Sequence, residues 1–254
     1  MKIRVLGCSG GIGSSHLRTT SFLVDHDILI DAGTGVGDLS MAELRQIDHV
    51  FVTHSHLDHV TSLAFMVDAV GDMRDRPLIV HATDATIRIL REHIFNWLIW
   101  PDFSQMPSDK PFLAYSPVSV AETVTINGRM ITALPACHTV PAVGYQLDSG
   151  NASLVFSGDT GPCPEFWEYV NKIQNLRYLF IECAFPDQER ALAIKSLHLC
   201  PSLLMQELVH WKNDAEIFIT HLKPGKIEMT TQELADHGET YHLRILQNHQ
   251  TFEL

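Results

Sequence analysis

The sequence is poor in basic residues, in paired cysteines and in long apolar runs. Across its 254 residues, 18 Lys and Arg stand against 30 Asp and Glu, which gives a net charge of −12. Non-specific binding of nucleic acid depends on basic side chains that displace counterions, so we expect no stable nucleic-acid binding. The five cysteines form no C-x-x-C pair, which predicts no disulfide framework and a cytoplasmic location. No apolar stretch reaches the roughly 18 residues of a membrane helix, so we expect no membrane association.

Histidine is the residue type that the chain has in excess. There are 15 histidines, nearly as many as all Lys and Arg together. Histidine is the commonest metal ligand and an acid or base near neutral pH, so this excess is the first indication of function. The chain is also long enough to bury a core without help from a structural zinc ion.

Short apolar runs alternate with amphipathic segments along most of the chain. This pattern predicts an α/β protein with layers of helices on mixed sheets. Without a linker, residues 1–254 form a single predicted domain, and the proline-rich stretch at about 97–117 is predicted as an irregular insertion. The strand candidates are 3–7, 21–24, 28–30, 50–53, 78–81, 142–147, 154–157, 178–181 and 217–220, and the helix candidates are about 38–46, 59–70, 84–96, 165–173, 201–210 and 231–237.

Two glycine-rich loops follow early strand candidates. Residues 7–13 and 33–37 contain them, and neither fits the dinucleotide-binding pattern G-x-G-x-x-G in register. They are predicted as tight turns where the backbone passes close to another group. Asp31 ends the preceding strand, where it could orient a neighbouring side chain or simply belong to the turn.

The stretch His54-Ser55-His56-Leu57-Asp58-His59 lies between an apolar strand candidate and an apolar helix candidate. In an extended backbone His54 and His56 point the same way, so the two imidazoles can share one ion. Asp58 and His59 follow at the start of the helix, where they could meet a second ion. A structural zinc site would favour four closed ligands, often cysteines, so this pattern favours a catalytic centre with an open position.

Three further polar residues end apolar strand-like runs. They are His138, Asp159 and His221. Open α/β sheets usually carry ligand-binding groups at the carboxyl ends of their strands. Each residue alone could be an ordinary loop residue, but together with the histidine cluster they are predicted as metal ligands.

This order of residues resembles the metallo-β-lactamase superfamily over nearly the whole chain. The resemblance implies a four-layer αββα sandwich with a dinuclear metal site at one edge. Of two divalent ions, one would be held by His54, His56 and His138, the other by Asp58, His59 and His221, and Asp159 would bridge them. Zinc is the default for such a histidine-rich site, although manganese or iron also suits it. With aspartate rather than cysteine at position 159, the chain resembles the hydrolase and phosphodiesterase branches of the superfamily.

Residues 54–59, 96–101, 157–161, 181–186 and 198–201 look like motifs of class II cyclic-nucleotide phosphodiesterases. That resemblance implies hydrolysis of 3′,5′-cyclic nucleotides, cyclic AMP or cyclic GMP, to 5′-nucleotides by a hydroxide held between the ions. Asp58 would hold the nucleophile or accept its proton. His198, oriented by Glu182, would donate a proton to the leaving group.

Other functions remain open from the sequence. The same fold could process RNA 3′ ends as ribonuclease Z does, hydrolyse an ester or lactone, or bind metal without turnover. The chain lacks the long basic arm with which ribonuclease Z grips transfer RNA, which favours a small-molecule substrate. A homodimer is also left open. Four aromatic residues could stack on a purine base, or they could belong to the core or to a dimer contact. They are Phe95, Trp97, Trp100 and Phe103.

Overall fold

A computed structural model describes residues 1–13, 16–237 and 239–254, without the side chains of residues 237 and 239. Two seven-stranded sheets form its centre. The first has the order β14-β1-β2-β3-β4-β5-β6, with β1 (Lys2–Gly7), β2 (Ser21–Val24), β3 (Ile28–Ile30), β4 (His49–Phe51), β5 (Leu78–Ala82), β6 (Leu113–Pro117) and β14 (Thr251–Glu253). The second has the order β13-β12-β11-β10-β9-β8-β7, with β7 (Thr123–Ile126), β8 (Arg129–Pro135), β9 (Val143–Asp148), β10 (Ser153–Phe156), β11 (Leu176–Glu182), β12 (Glu216–Thr220) and β13 (Arg244–Ile245).

Helices cover the outer face of each sheet. Those on the first sheet are α1 (Met41–Gln46), α2 (Leu57–Val70) and α3 (Asp84–His93), and those on the second are α4 (Pro164–Val170), α5 (Arg190–Ser196), α6 (Pro201–Leu208) and α7 (Ile227–His237). Short 3₁₀ turns span Thr34–Asp38, Gly71–Met73, Asp187–Glu189 and Glu239–Tyr241. None of the helices in the described parts of the chain combines the length and apolar character that crossing a bilayer requires.

Three apolar layers hold the sandwich together. Between the sheets, Phe22 packs edge-on against Phe156 at 4.9 Å and against Phe180 at 5.6 Å. A second layer joins the first sheet to its helices, and a third joins the second sheet to its own. Burial of each large apolar side chain contributes about 1.5–3 kcal/mol, so these layers provide the main stabilising term. The predicted four-layer αββα sandwich is confirmed.

Parallel strands bring several chain segments to one edge of the sandwich. Strands β3 to β6 run parallel in the first sheet, and β10 to β13 run parallel in the second. Their carboxyl ends therefore lie side by side at that edge. The Val143 amide donates to the Thr53 carbonyl at 3.0 Å, and the Tyr145 hydroxyl donates to the Val52 carbonyl at 3.0 Å. These bonds tie the two sheets together beside the candidate site.

The prediction of an irregular insertion at about 97–117 is wrong at its carboxyl end. Residues 113–117 form β6, which pairs in parallel with β5 from Leu78↔Leu113 to Ala82↔Pro117. Strand β6 is the edge strand of its sheet, where the missing amide of Pro117 costs no ladder bond. The short helix α5, which buries only Ala193, is also absent from the predicted elements.

The structure also corrects the expectation for the cysteines. Cys137 and Cys163, 26 residues apart in sequence, form a disulfide, and their Cα atoms are 5.5 Å apart. The remaining three, Cys8, Cys183 and Cys200, are free. The paired residues meet because the loop after β8 lies against the loop before α4, where the Gly161 amide donates to the Cys137 carbonyl at 2.8 Å.

Candidate metal centre

The loop between β4 and α2 carries four of the predicted ligands. His56 is the residue that precedes α2, and Asp58 lies in its first turn, where a carboxylate is favoured by the helix dipole. The side chains of His54 and His56 meet edge to face, with ring centroids 4.7 Å apart. His54 and His59 are fully buried, while Asp58 remains partly exposed.

The structure brings the seven predicted metal ligands together in two groups. The ligand atoms of His54, His56, His138 and Asp159 lie within 4.8 Å of one another, and so do those of Asp58, His59, Asp159 and His221. In the first group, His138 Nε2 lies 3.1 Å from His56 Nδ1. Asp159 belongs to both groups, which is the arrangement that a shared ligand between two ions requires.

The second group is the more deeply buried of the two. An oxygen of Asp159 lies 3.3 Å from His59 Nε2, and the other lies 3.2 Å from His221 Nε2. Asp58 Oδ2 is 4.0 Å from His59 Nε2 and 3.8 Å from His221 Nε2. Two imidazole nitrogens and two carboxylates therefore converge on one point at the sandwich edge.

Several polar atoms of the two groups fit a bound cation. His54 Nε2, His59 Nε2 and Asp159 Oδ1 are buried and make no hydrogen bond within the described residues, although the last two atoms lie in ion-pair contact at 3.3 Å. A buried polar atom without a partner costs free energy, and an ion placed among these atoms would remove that cost. Imidazole and carboxylate donors without cysteine suit zinc, iron or manganese.

The opposite ring nitrogens of these histidines are fixed by hydrogen bonds. His54 Nδ1 donates to Thr53 Oγ1 at 3.0 Å, and His138 Nδ1 donates to the Leu197 carbonyl at 2.9 Å. A proton held on Nδ1 leaves the lone pair on Nε2, which therefore faces the cluster. The hydrogen bonds of the Nδ1 atoms thus set the ring orientation and the tautomer that metal binding needs.

Asp31 performs the same task for His59. Its Oδ2 accepts from His59 Nδ1 at 2.6 Å, and its Oδ1 accepts from the Thr53 amide at 2.8 Å. Asp31 is completely buried and has a left-handed backbone, with φ of 57°. Sequence reasoning left its role open, although β3 and β4 are parallel neighbours whose ends must meet, and that signal could have paired it with His59.

Burial and neighbouring charges prepare most of these groups for a cation. Burial lowers the pKa of His54 and of His221 well below the ordinary range, and it lowers the pKa of His138 to about 4. Burial opposes charge on Asp159, but the His221 and His59 rings hold its pKa well below the usual value. Apart from His59, the cluster therefore combines neutral imidazoles with an ionised carboxylate, the protonation states in which these residues bind metals.

His59 differs from the other histidines. Burial opposes its charge, but the carboxylates of Asp159 and Asp31 raise its pKa well above the ordinary value. Two carboxylates that attract a proton to this buried position would also attract a divalent cation in its place. Binding of a metal at His59 would thus release a proton.

A histidine–glutamate pair adjoins the centre. His198 Nδ1 donates to Glu182 Oε1 at 2.7 Å, and the His198 ring lies 4.8 Å from that of His138 and 5.3 Å from that of His221. Glu182 is fully buried and also accepts from the amides of Thr160, Ala184 and Leu199. Burial lowers the pKa of His198, but the carboxylates of Glu182 and Asp159 together raise it by more, so the net shift is upward.

The two glycine-rich loops pass close to the centre, as the sequence predicts for tight turns. A Cβ on Gly10 would lie 2.5 Å from the His221 carbonyl oxygen and 2.8 Å from its Cδ2. A Cβ on Gly33 would lie 2.5 Å from the Asp58 carbonyl oxygen. Both glycines are therefore needed so that the backbone can support the ligand-bearing segments.

The aromatic group at 95–103 is not part of the centre. Phe95 and Phe103 are buried in the core of the first sheet, so the hypothesis that they stack on a base is wrong. Trp100 packs partly on the same core, whereas Trp97 is 58% exposed. Helix α3 runs from the edge with the candidate centre to the opposite edge of the sandwich. The chain re-enters the sheet at Leu113, which pairs with Leu78 at the start of β5, so the segment between α3 and β6 begins and ends at that opposite edge.

Comparison with known proteins identifies related chains. A family model described as "Beta-lactamase superfamily domain" matches residues 26–222, which is most of the chain. A protein of Yersinia pestis named "Probable 3′,5′-cyclic-nucleotide phosphodiesterase" is 25% identical over 279 aligned residues, covering 88% of this chain and 78% of the relative.

Solved structures with this architecture span the whole chain. The structure of unliganded yeast PDE1 superposes with a TM-score of 0.82 at 21% identity, covering 100% of this chain and 99% of the other. That of YhfI from Bacillus subtilis, a metallo-beta-lactamase fold protein, gives a TM-score of 0.78 at 19% identity, covering 100% and 99%. At these identities the likeness establishes a common fold.

Proposed function

We propose that this chain, which belongs to the beta-lactamase superfamily, is a dinuclear metal-dependent phosphodiesterase that opens 3′,5′-cyclic nucleotides to 5′-nucleotides. One observation carries this proposal. Two groups of potential ligand atoms share the buried carboxylate of Asp159, and the Glu182–His198 pair stands beside them. A metal pair next to a potential proton donor is what hydrolysis of a phosphodiester needs.

The donor set divides into two ion positions. His54, His56 and His138 would hold one ion, Asp58, His59 and His221 the other, and Asp159 both. When bound, two divalent ions, with zinc the first choice and manganese or iron as alternatives, lower the pKa of water and offset phosphoryl charge.

Asp58 is the ligand carboxylate that can also handle a proton. Its side chain is 26% exposed, whereas that of Asp159 is 2% exposed. We assign Asp58 the task of orienting the attacking water and accepting its proton, because a base must lie within hydrogen-bond reach of the nucleophile. Asp159, closed off from solvent, would serve only as a ligand.

His198 would act on the other side of the reaction. With its Nδ1 bound to Glu182, its second nitrogen is the one that can donate to the leaving 3′ oxygen. Glu182 fixes that tautomer through a carboxylate whose other acceptor positions are used by backbone amides. An alkoxide is a poor leaving group, so protonation as the bond breaks accelerates the reaction.

A small cyclic nucleotide is favoured over RNA as the substrate. The net charge of −12 disfavours a surface that tracks several phosphates of a polynucleotide. The Yersinia pestis relative, whose name specifies cyclic nucleotides, supports the same choice. Cyclic AMP is our first choice and cyclic GMP the second; cytoplasmic location and homodimer formation remain predictions.

A substrate panel tests the proposal. Purified protein with two equivalents of zinc is assayed on cyclic AMP, cyclic GMP, a bis-aryl phosphodiester, precursor transfer RNA and a lactone, with and without a chelator. We expect chelator-sensitive release of the 5′-nucleotide. Trimming of transfer RNA with cyclic AMP left intact would instead establish the ribonuclease alternative, and turnover of the lactone alone would establish an esterase.

A further inference from the structure

Lys223 lies at the rim of the centre, in the turn that joins β12 to α7. Its Nζ donates to the Gly10 carbonyl oxygen at 2.7 Å and lies 3.5 Å from His221 Nε2. Its backbone amide donates to the Ala184 carbonyl at 3.1 Å, which anchors the residue to the loop after β11. The ammonium group is thus fixed beside a nitrogen that belongs to the second group of potential ligands.

The ammonium group of Lys223 lies over the ring of Phe185, 5.9 Å from its centroid, and this contact leaves its N–H donors free. Among the residues that the structure describes, no carboxylate forms an ion pair with it, whereas Lys226 in the same turn pairs with Glu189 at 2.6 Å. The Gly10 carbonyl uses one of its three N–H donors. If His221 Nε2 binds an ion, that nitrogen cannot also accept a hydrogen bond. Two donors then remain for a group that enters the centre.

The charge balance of the proposed centre points in the same direction. The carboxylates of Asp58 and Asp159 cannot neutralise two divalent ions, and Lys223 adds a further positive charge beside them. A site with excess positive charge in a partly buried position favours an anion and gives no advantage to a neutral ester or lactone.

We propose that Lys223 binds a nonbridging phosphoryl oxygen of the substrate and thereby selects phosphodiesters over neutral esters. This inference rests on the proposed function for the nature of the substrate. The Gly10 carbonyl fixes the position of the Lys223 ammonium group through its hydrogen bond. The glycine-rich loop can approach the turn that carries Lys223 because Gly10 and Gly11 lack a Cβ. A Cβ on Gly11 would come within 3.1 Å of the Pro224 ring next to Lys223.

Binding of inorganic phosphate to the zinc-loaded protein tests this proposal without turnover. Calorimetry is performed on native protein, on Lys223→Met, which keeps the length but not the charge, and on Lys223→Arg. Loss of one charge-assisted hydrogen bond should weaken phosphate binding about 10- to 100-fold in Lys223→Met, and Lys223→Arg should recover much of it. Lys226→Met is the matched control and should bind phosphate as the native protein does.

Kinetics provide the second readout. Lys223→Met should raise KM for bis(4-nitrophenyl) phosphate by a factor similar to the loss in phosphate affinity. Any hydrolysis of the neutral ester 4-nitrophenyl acetate should be unchanged. Zinc content, measured on each variant, should equal that of the native protein because Lys223 is not assigned as a ligand.

Three results would overturn the role of Lys223: native affinity for phosphate in Lys223→Met, loss of zinc in that variant, or no phosphate binding by the native protein. Failure of the proposed function gives a different result. Native protein would then bind phosphate in a Lys223-dependent manner but cleave no phosphodiester.

Discussion

The substitution Asp31→Asn tests how the protein controls the protonation of its metal ligands. Asp31 Oδ2 accepts from His59 Nδ1 at 2.6 Å in a fully buried position. In the variant, the Asn carbonyl can retain the bond from the Thr53 amide, which leaves its NH₂ group facing His59. Nδ1 must then accept, so the proton moves to Nε2, the nitrogen that faces Asp159 at 3.3 Å. A protonated Nε2 cannot bind an ion.

The magnitude follows from the position of this bond. Removal of a carboxylate that orients a metal-binding histidine typically costs about 10- to 100-fold in metal affinity. Only the ion at His59 depends on Asp31 directly, because His54 is linked to Asp31 only through Thr53 Oγ1, whose hydrogen bond the Asn carbonyl can still accept. Titration with zinc and a competing chromophoric chelator should therefore show one weakened ion and one nearly native ion per chain.

Asp27→Asn is the matched control because Asp27 precedes the same strand, β3, at its other end. Asp27 is buried and paired with Arg129 at 2.6 Å, far along the strand from the centre. The substitution Asp27→Asn should lower the free energy of unfolding without changing zinc affinity. Equal zinc affinity in Asp31→Asn and native protein, or equal weakening of both ions, would refute the tautomer argument.

Three further predictions concern catalysis, substrate and stability. His198→Ala should slow cleavage of a substrate with an alkoxide leaving group by about 10²–10⁴-fold in steady-state assays, with a much smaller effect on an aryl phosphodiester; equal losses would indicate a structural role. KM for cyclic AMP should depend only weakly on ionic strength, because one cyclic phosphate is bound rather than many phosphates; a steep dependence would favour an RNA substrate. Burial lowers the pKa of His81 from 6.5 to about 4, so the unfolded chain takes up a proton between these values and the folded protein does not. The contribution of the neutral His81 ring to the free energy of unfolding is therefore fully present above pH 6.5 and decreases as the pH falls from 6.5 to about 4. In urea unfolding, the free energy of unfolding of the native protein should decrease by about 2 kcal/mol more than that of His81→Phe when the pH is lowered from about 7 to about 5. Equal decreases in the two proteins would contradict this prediction.

The sequence predicts the local elements of the sandwich better than its long-range pairs. Apolar runs such as Ser21–Val24 and Ile28–Ile30 coincide with β2 and β3, because burial on both faces requires continuous apolar residues. The helix-forming pattern likewise gives α2 and α6 to within a few residues. Strand β6 is missed because its proline reads as a loop residue unless the strand is known to lie at an edge.

Within the candidate site, the residues with the strongest local spacing are the easiest to find. The order of His54, His56, Asp58 and His59 is visible in one short stretch, and the structure places the first two in one ligand group and the last two in the adjoining group. The roles of Asp31 and Lys223 depend on contacts with segments distant in sequence, as does the pairing of Cys137 with Cys163. No local pattern encodes those contacts, since they arise only when the sheets pack.

The number of ions per chain tests the account most directly. Metal analysis of zinc-saturated protein after removal of free metal should give two ions per chain, because two groups of ligand atoms share Asp159. His56→Ala, which removes a ligand of the first group only, should give one ion and lose nearly all turnover. A native chain that holds one ion or none under these conditions, with full phosphodiesterase activity, would contradict the dinuclear centre.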